Sequence, residues 1–153
     1  MPKLIKTHKH QRGVYAVEFV LVAGFLFLLL FALMEVGKIM YFFNTANEST
    51  RRAARLAAVC NHVNHPVYGA AAKKAIENTV TSRLPFATAA NVSIQYCDKA
   101  DCVCDEADCQ LITVSLIDAI YTSSIVPISV KMPAFATTIP RESMDSSFNA
   151  DCS

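Results

Sequence analysis

Residues 19–34 read FVLVAGFLFLLLFALM, sixteen consecutive residues without a charged side chain. The whole chain has 153 residues, of which 53% are hydrophobic and 18% are charged, whereas ordinary soluble domains have about 45–50% apolar and about 25% charged residues. The rest of the chain has ordinary polarity, so the apolar excess lies in this one segment. This distribution excludes a purely soluble globular protein. The 4 Gly and 6 Pro also exclude collagen-like and low-complexity classes.

The apolar segment is short for a membrane span. Sixteen helical residues cover about 24 Å, whereas the hydrocarbon core of a bilayer is roughly 30 Å thick. Extending the helix over residues 14–43 gives sufficient length but includes Glu18, Glu35 and Lys38. Glu35 and Lys38 are three residues apart and are expected to pair on the helix surface. We therefore predict one long helix over about residues 14–59, whose first part spans a membrane.

The basic residues before this helix predict its orientation. Lys3, Lys6, Lys9 and Arg12 precede it, and no acidic residue occurs before Glu18. Lysine and arginine on one flank of a span are retained in the cytoplasm. Residues 1–13 hold four of the 14 basic residues and none of the 13 acidic residues, so the remaining chain has a net charge of −3. The basic segment therefore indicates topology, and nucleic acid is not expected as a partner.

Two common processing signals do not fit. A secretory signal peptide has an apolar region of about 7–15 residues followed by a small-x-small cleavage site, and no such site follows Phe43. Residues 56–60 (LAAVC) approximate a lipoprotein motif but carry Val before the cysteine and follow three arginines. We do not expect a lipoprotein.

A different processing motif stands at residues 12–19, which read RGVYAVEF. This motif resembles the processing site of type IV prepilins, and most closely that of the TadE-like minor pilins (pseudopilins) of tight-adherence (Tad/Flp) pili. In that family a sequence of the form RG-x-x-A-VEF precedes the apolar run. Residues 35–41 (EVGKIMY) and 47–58 (NESTRRAARLAA) continue the family pattern. The resemblance covers about residues 11–60, and the cysteine-rich segment farther along departs from it.

The resemblance implies a function for Gly13, Val14 and Glu18. A prepilin peptidase would cut after Gly13, whose flexible backbone suits an extended cleavage site, and would release residues 1–13 as a leader. The new amine of Val14 would then begin the apolar helix. A carboxylate in such a helix is costly unless it is neutralised, and the resemblance implies that Glu18 pairs with this amine within the chain or on a neighbouring subunit. Glu18 would thus be a docking element.

The resemblance also implies partners and a location. The partners would be the major pilin, other minor pilins, the prepilin peptidase, the inner-membrane assembly platform and the lipid bilayer. The protein would be a single-pass protein of the bacterial inner membrane with a cytoplasmic N-terminus and a periplasmic head. Incorporation into the filament, location at its tip and retention in the assembly machinery are three open alternatives. The expected division of the chain is leader 1–13, membrane and stalk helix 14–60, and head 61–153.

The head is expected to have an α+β fold. Residues 61–66 (NHVNHP) end the long helix, because proline cannot continue it. A second helix is predicted over about residues 66–83, with an apolar face of Ala70, Ala71, Ala75, Ile76 and Val80. Alternating patterns predict strands at about residues 92–96, 111–117, 125–130 and 134–139. These strands are expected to form a three- or four-stranded antiparallel sheet.

Several charged or polar side chains have simple expected roles. Arg51, Arg52 and Arg55 are expected to form a solvated helix face, with binding of anionic lipid or nucleic acid as the alternative. His62 and His65 invite a metal interpretation, but a His-x-x-His pair in a proline-containing loop without nearby acids is expected to be solvent-exposed.

Six cysteines are expected to form disulfides in the periplasm, namely Cys60, Cys97, Cys102, Cys104, Cys109 and Cys152. Six cysteines allow 15 pairings. Our favoured hypothesis pairs Cys97 with Cys109 across a hairpin and leaves Cys102 and Cys104 to pair with Cys60 and Cys152. Zinc bound by four thiolates is an alternative, although the spacing differs from that of usual zinc knuckles. Calcium is a second alternative, with the candidate ligands Asp98, Asp101, Asp105, Glu106 and Asp108.

Motifs for catalysis are missing from the sequence, which has no G-x-S-x-G, Walker loop, H-E-x-x-H or dinucleotide fingerprint. We expect no enzyme activity, catalytic residue, cofactor or metal. The leading hypothesis is a minor pilin that supports assembly of a pilus through helix packing. The alternatives are an uncleaved bitopic adhesin or binding module and, third, a small periplasmic redox or metal-binding enzyme.

Overall fold

The computed structural model describes residues 11–98, 102, 104, 109–123, 128–142, 145 and 150–152, with only the backbone for residues 11 and 12. The fold is α+β, as predicted. Contacts divide the chain into two units, Met1–Lys38 and Ile39–Ser153. Helix α1 (Gln11–Val59) supplies the described part of the first unit and begins the second.

The described part of the first unit is an apolar helix whose side chains are mostly exposed. Phe19, Leu21 and Phe25 are 70–72% exposed. Helix Gly13–Val59 is long and apolar enough to cross a membrane, and its most apolar window has a mean hydropathy of 2.7 with none of its residues buried. Because a globular protein rarely exposes so large an apolar surface, this helix suggests a membrane anchor.

Near the end of this unit the predicted ion pair is present. Lys38 Nζ lies 3.6 Å from Glu35 Oε2, and the Glu35 residue is only 8% exposed. The spacing of three residues places both side chains on one helix face. The prediction that Glu35 and Lys38 pair is therefore confirmed.

In the second unit, one face of α1 lines one side of the hydrophobic core. This face is made entirely of small residues that are fully buried, namely Ala46, Ser49, Thr50, Ala53, Ala54, Ala57 and Ala58. They recur at the three- and four-residue spacing of a helix stripe, and their size lets other elements approach the helix axis closely. Arg51, Arg52 and Arg55 lie on the exposed face, which confirms that they are solvated.

Helix α2 (Gly69–Thr81) is shorter than predicted and buries Gly69, Ala72, Ile76 and Val80. It begins three residues later than expected because the preceding residues form a turn around His65. The backbone N–H groups of Val67 and Tyr68 donate to His65 Nδ1 at 3.3 and 3.2 Å. Placing Ala70 on the buried face was wrong, since it is exposed.

Gly69 is required by close packing at the start of α2. A Cβ atom at this position would lie 2.4 Å from the carbonyl oxygen of Val63. Real Cβ atoms do not approach backbone oxygen so closely, so the helix start and the loop after α1 can meet only at a glycine.

The main sheet has three antiparallel strands, β1 (Val92–Cys97), β2 (Leu111–Leu116) and β5 (Phe135–Pro140), in the order β1-β2-β5. Two further strands, β3 (Ile120–Thr122) and β4 (Ser129–Lys131), pair separately. Of the strand predicted at 125–130, residues 125–127 lie outside the described residues. The described residues 128–130 are not part of the main sheet. Strand β3 was missed. Asp118, just before it, has a φ of 51°.

Hydrophobic side chains from the sheet, from α2 and from the start of the unit meet the small-residue face of α1. Ile112, Val114 and Leu116 alternate inward along β2 and are fully or almost fully buried. Phe42 contacts the rings of Phe86 and Tyr121, with both centroid distances 5.1 Å. The sheet thus packs on the helix as a second layer.

Candidate functional site

The candidate site at the start of α1 is built from residues on one helix face. Gly13, Val14, Val17, Glu18 and Leu21 line a shallow surface groove. Their spacing follows the helix repeat of 3.6 residues per turn. Sequence reasoning did not single out Val17, which precedes Glu18, or Leu21, which extends the groove by about one turn beyond Glu18.

Within this groove, Val14 and Glu18 are one helical turn apart, or roughly 6 Å along the axis. Side chains at i and i+4 are neighbours on the helix surface. Glu18 is exposed, and in the described part of the chain its carboxylate forms no ion pair. The helix thus presents an exposed carboxyl group one turn beyond Val14.

Gly13 has no steric reason to be glycine. A Cβ atom at Gly13 would meet nothing within 4 Å, and the same holds for Gly24 and Gly37 in this helix. Glycine in a helix interior is about 1 kcal/mol less favourable than alanine. These three glycines therefore differ from Gly69, and Gly24 and Gly37 serve as matched controls for a role of Gly13 outside packing.

The basic residues before Gly13 lie almost entirely outside the described part of the chain. Lys3, Lys6 and Lys9 lie outside the described residues, and only the backbone of Arg12 is described. The expectation that these residues hold the N-terminus in the cytoplasm rests on the sequence.

The disulfides correct our pairing hypothesis. The bridges are Cys60–Cys152, Cys97–Cys102 and Cys104–Cys109, so the predicted Cys97–Cys109 bridge was wrong. In the register of β1 and β2, Cys97 lies opposite Leu111. Cys109 therefore falls two residues beyond the paired strands, and each cysteine of the segment bonds to a partner five residues away.

The same bridges contradict the zinc alternative, which required four thiolates. All four cysteines of the segment are in disulfides. Of the acidic residues considered for calcium, Asp98 is half-buried, whereas Asp101, Asp105, Glu106 and Asp108 lie outside the described residues.

The two histidines of the loop after α1 support the backbone. His62 is only 6% exposed, which corrects the expectation that it faces solvent, and its ring lies 3.9 Å from that of Tyr96. The N–H of Asn64 donates to His62 Nδ1 at 3.1 Å. His65 Nδ1 accepts hydrogen bonds from two backbone N–H groups. The Nδ1 atoms of both histidines therefore stabilise local turns.

The exposed ion pair between Lys131 and Asp118 was not predicted, because its partners are 13 residues apart. Lys131 Nζ lies 2.7 Å from Asp118 Oδ1. The hydrogen bond to Asp118, together with the charge of that carboxylate, raises the pKa of Lys131. The pair links the turn before β3 to the end of β4.

Comparison with known protein families finds a match in the first part of the chain. No curated protein and no solved structure matches the chain. Residues 13–55 match the family model of TadE-like proteins, which is consistent with a TadE-like protein of the Tad pilus system. This match covers the exposed apolar helix and continues into the second unit.

Proposed function

We propose that this protein is a minor pilin whose leader is removed after Gly13 and whose apolar helix then packs with other pilins during assembly of a tight-adherence pilus. The observation that carries the proposal is the position of the family match, which begins at residue 13 and continues through the exposed helix to residue 55. The match thus starts at the glycine after which the sequence motif predicts cleavage.

The exposed helix supports a packing role. Its side chains from Val14 to Met34 expose large apolar fractions, and lipid or neighbouring helices can cover such a surface. In lipid the helix anchors the protein, and in an assembled filament the same surface contacts other pilin helices. The proposed role is structural and requires no catalytic group.

Glu18 gives this packing a register. After cleavage the amine of Val14 is a cation at the end of an apolar helix, and a carboxylate four residues away can neutralise it. Moving either charge into an apolar interior alone is costly, whereas a pair in good geometry is tolerated. A neighbouring subunit that supplies one of the two charges must therefore dock at a defined position along the helix axis.

The proposed location follows from the same features. The protein starts in the bacterial inner membrane with residues 1–13 in the cytoplasm and with the head and the three disulfides in the periplasm. Disulfides persist in that compartment. The proposed partners are the prepilin peptidase, the inner-membrane assembly platform, the major pilin and other minor pilins.

Intact-mass analysis tests the processing step. Full-length protein is produced with and without a prepilin peptidase, extracted from membranes and weighed. We expect the peptidase to remove the mass of residues 1–13. Gly13→Val should block this loss, whereas Gly24→Val, at an equally open glycine of the same helix, should not. Retention of Met1 in the presence of active peptidase would contradict processing and favour an uncleaved membrane-anchored binding module.

The docking role needs a separate measurement. Glu18→Gln removes the charge with little change of shape, so cleavage should persist while pilus assembly falls. Glu142→Gln, at an exposed position of the second unit, is the matched control and should assemble normally. Normal pili in the Glu18→Gln strain, counted by electron microscopy, would refute the docking role without affecting the processing result.

A further inference from the structure

The three disulfides differ sharply in their access to solvent. Cys60 and Cys152 are 0% and 1% exposed and pack with Ala72. Cys109 is 1% exposed and belongs to the main core, against which Cys104 packs. Cys102 is exposed, although its partner Cys97 is buried. One bridge therefore offers a sulfur-bearing residue directly to solvent.

Thiol–disulfide exchange requires this kind of access. A thiolate attacks one sulfur of the disulfide and forms a mixed disulfide, so the rate depends on which sulfur can be reached. We propose that Cys102 is the site at which this chain exchanges disulfides with an external dithiol, such as that of a thiol–disulfide oxidoreductase, and that Cys97–Cys102 is the bridge that opens.

The chemical step is a two-electron exchange. The thiolate of the dithiol bonds to Cys102 Sγ while the bond to Cys97 Sγ breaks, and Cys97 leaves as a thiolate that takes a proton from solvent. The second thiol of the reagent then displaces Cys102 Sγ. The chain gains two electrons and two protons, and the external dithiol is oxidised to a disulfide.

The surroundings of the other two bridges oppose the same reaction. Attack at the half-buried Cys104 would release a thiolate on Cys109, which is 1% exposed and lies inside the hydrophobic core. Cys97 is buried as well, at 6% exposed, but it does not belong to that core. Because burial in apolar surroundings disfavours a thiolate, Cys97 is the better leaving group of the two. Attack on Cys60–Cys152 requires opening of the contact with α2. We therefore infer an order in which Cys97–Cys102 reacts first and Cys60–Cys152 reacts last.

Opening the first bridge leaves the sheet in place. Strands β1 and β2 remain joined through six residue pairs from Val92↔Leu116 to Cys97↔Leu111. The N–H of Gln110 also donates to the Cys97 carbonyl at 3.1 Å. The bridge is thus a local modification site whose opening leaves these contacts between the strands in place.

Timed reduction of the full-length protein in detergent tests the order. The protein is treated with limiting dithiothreitol under native conditions, quenched with N-ethylmaleimide and mapped by peptide mass spectrometry. We expect Cys97 and Cys102 to be labelled about ten-fold faster than the other four cysteines, because exchange rates follow access. In concentrated urea the three bridges should open at similar rates.

Two further samples locate the attacked sulfur. An oxidoreductase that retains its attacking cysteine but lacks the resolving one should become trapped on Cys102. The Cys104→Ala/Cys109→Ala variant should leave the labelling rate of Cys97 and Cys102 unchanged. First opening of either other bridge, simultaneous opening of all three without urea, or an adduct on Cys97 would overturn the inference.

Discussion

Removal of the Cys60–Cys152 bridge should destabilise the second unit more than removal of a short bridge. The two cysteines are 92 residues apart, with their Cα atoms 5.6 Å apart. Their bond joins the end of α1 to the short 3-10 turn Ala150–Cys152. In the unfolded chain the same bond would close a very large loop, so its loss raises the entropy of the unfolded state. The Cys60→Ala/Cys152→Ala variant removes this bridge and tests the prediction.

The expected magnitude follows from the loop lengths. The loop-closure relation gives about 4.6 kcal/mol for a separation of 92 residues. It gives about 2 kcal/mol for the separation of 5 residues between Cys97 and Cys102. The Cys97→Ala/Cys102→Ala variant is therefore the matched control, since it also removes one bridge and two sulfur atoms. The difference between the two variants is expected to be about 2–3 kcal/mol.

Urea unfolding of full-length protein in detergent measures both values. Near-ultraviolet circular dichroism reports on the packing of the second unit, whose tyrosines Tyr96 and Tyr121 are buried. We expect a lower midpoint for both variants and a clearly larger shift for Cys60→Ala/Cys152→Ala. If the two variants lose equal stability, or the short-bridge variant loses more, the loop-entropy argument is wrong for this protein.

Four further predictions concern substitutions of single residues. Ser49 Oγ is buried and, in the described part of the chain, has no hydrogen-bond partner, so Ser49→Ala should raise the free energy of unfolding by about 1 kcal/mol. Thr50→Val removes a hydroxyl with two hydrogen-bond partners and should lower the free energy of unfolding by a similar amount. Urea titration measures both changes. Gly69→Ala should destabilise the second unit by about 2 kcal/mol or more, because the new Cβ meets a backbone oxygen, and an unchanged melting temperature would contradict this. Asp118→Asn should lower the raised pKa of Lys131, as measured by NMR titration. The wild-type pair is present below the ordinary lysine pKa and is lost as the pH rises through the raised pKa, so any stability difference between the two proteins should vanish at high pH.

The long helix and its site residues could be predicted because they depend on local pattern. An uninterrupted apolar run and a proline-containing stop determine α1, whose observed end at Val59 agrees with the prediction. Once α1 is a helix, the spacing of four residues places Val14 and Glu18 on one face without any tertiary information. The resemblance that identified Gly13 lies within the same local segment.

The disulfide pairing could not be predicted because it depends on where the strand ladder stops. Cys97 and Cys109 flank the connection between β1 and β2, which favoured a bridge between them. The register instead places Leu111 opposite Cys97, and Cys109 turns into the core. Each cysteine then pairs within its own five-residue segment, and no sequence pattern encodes that choice among 15 pairings.

Short and buried polar features were missed for a related reason. Strand β3 has three residues, too few to show an alternating pattern. His62 looked like a loop residue in the sequence, yet the ring of Tyr96 from a distant strand covers it. Both features arise from contacts between segments that are far apart in the chain.

The Cys60–Cys152 bond also determines how tension would pass through the protein. Cys60 directly follows α1, and Cys152 is the last residue that the structure describes. A force applied between α1 and the C-terminal end of the chain would run through this covalent bond. The intervening residues, including all five strands, form a closed ring beside that path and carry no load. Pulling at these two points would leave the sheet folded until the bond is reduced, whereas in the reduced protein the same pull would unravel the strands.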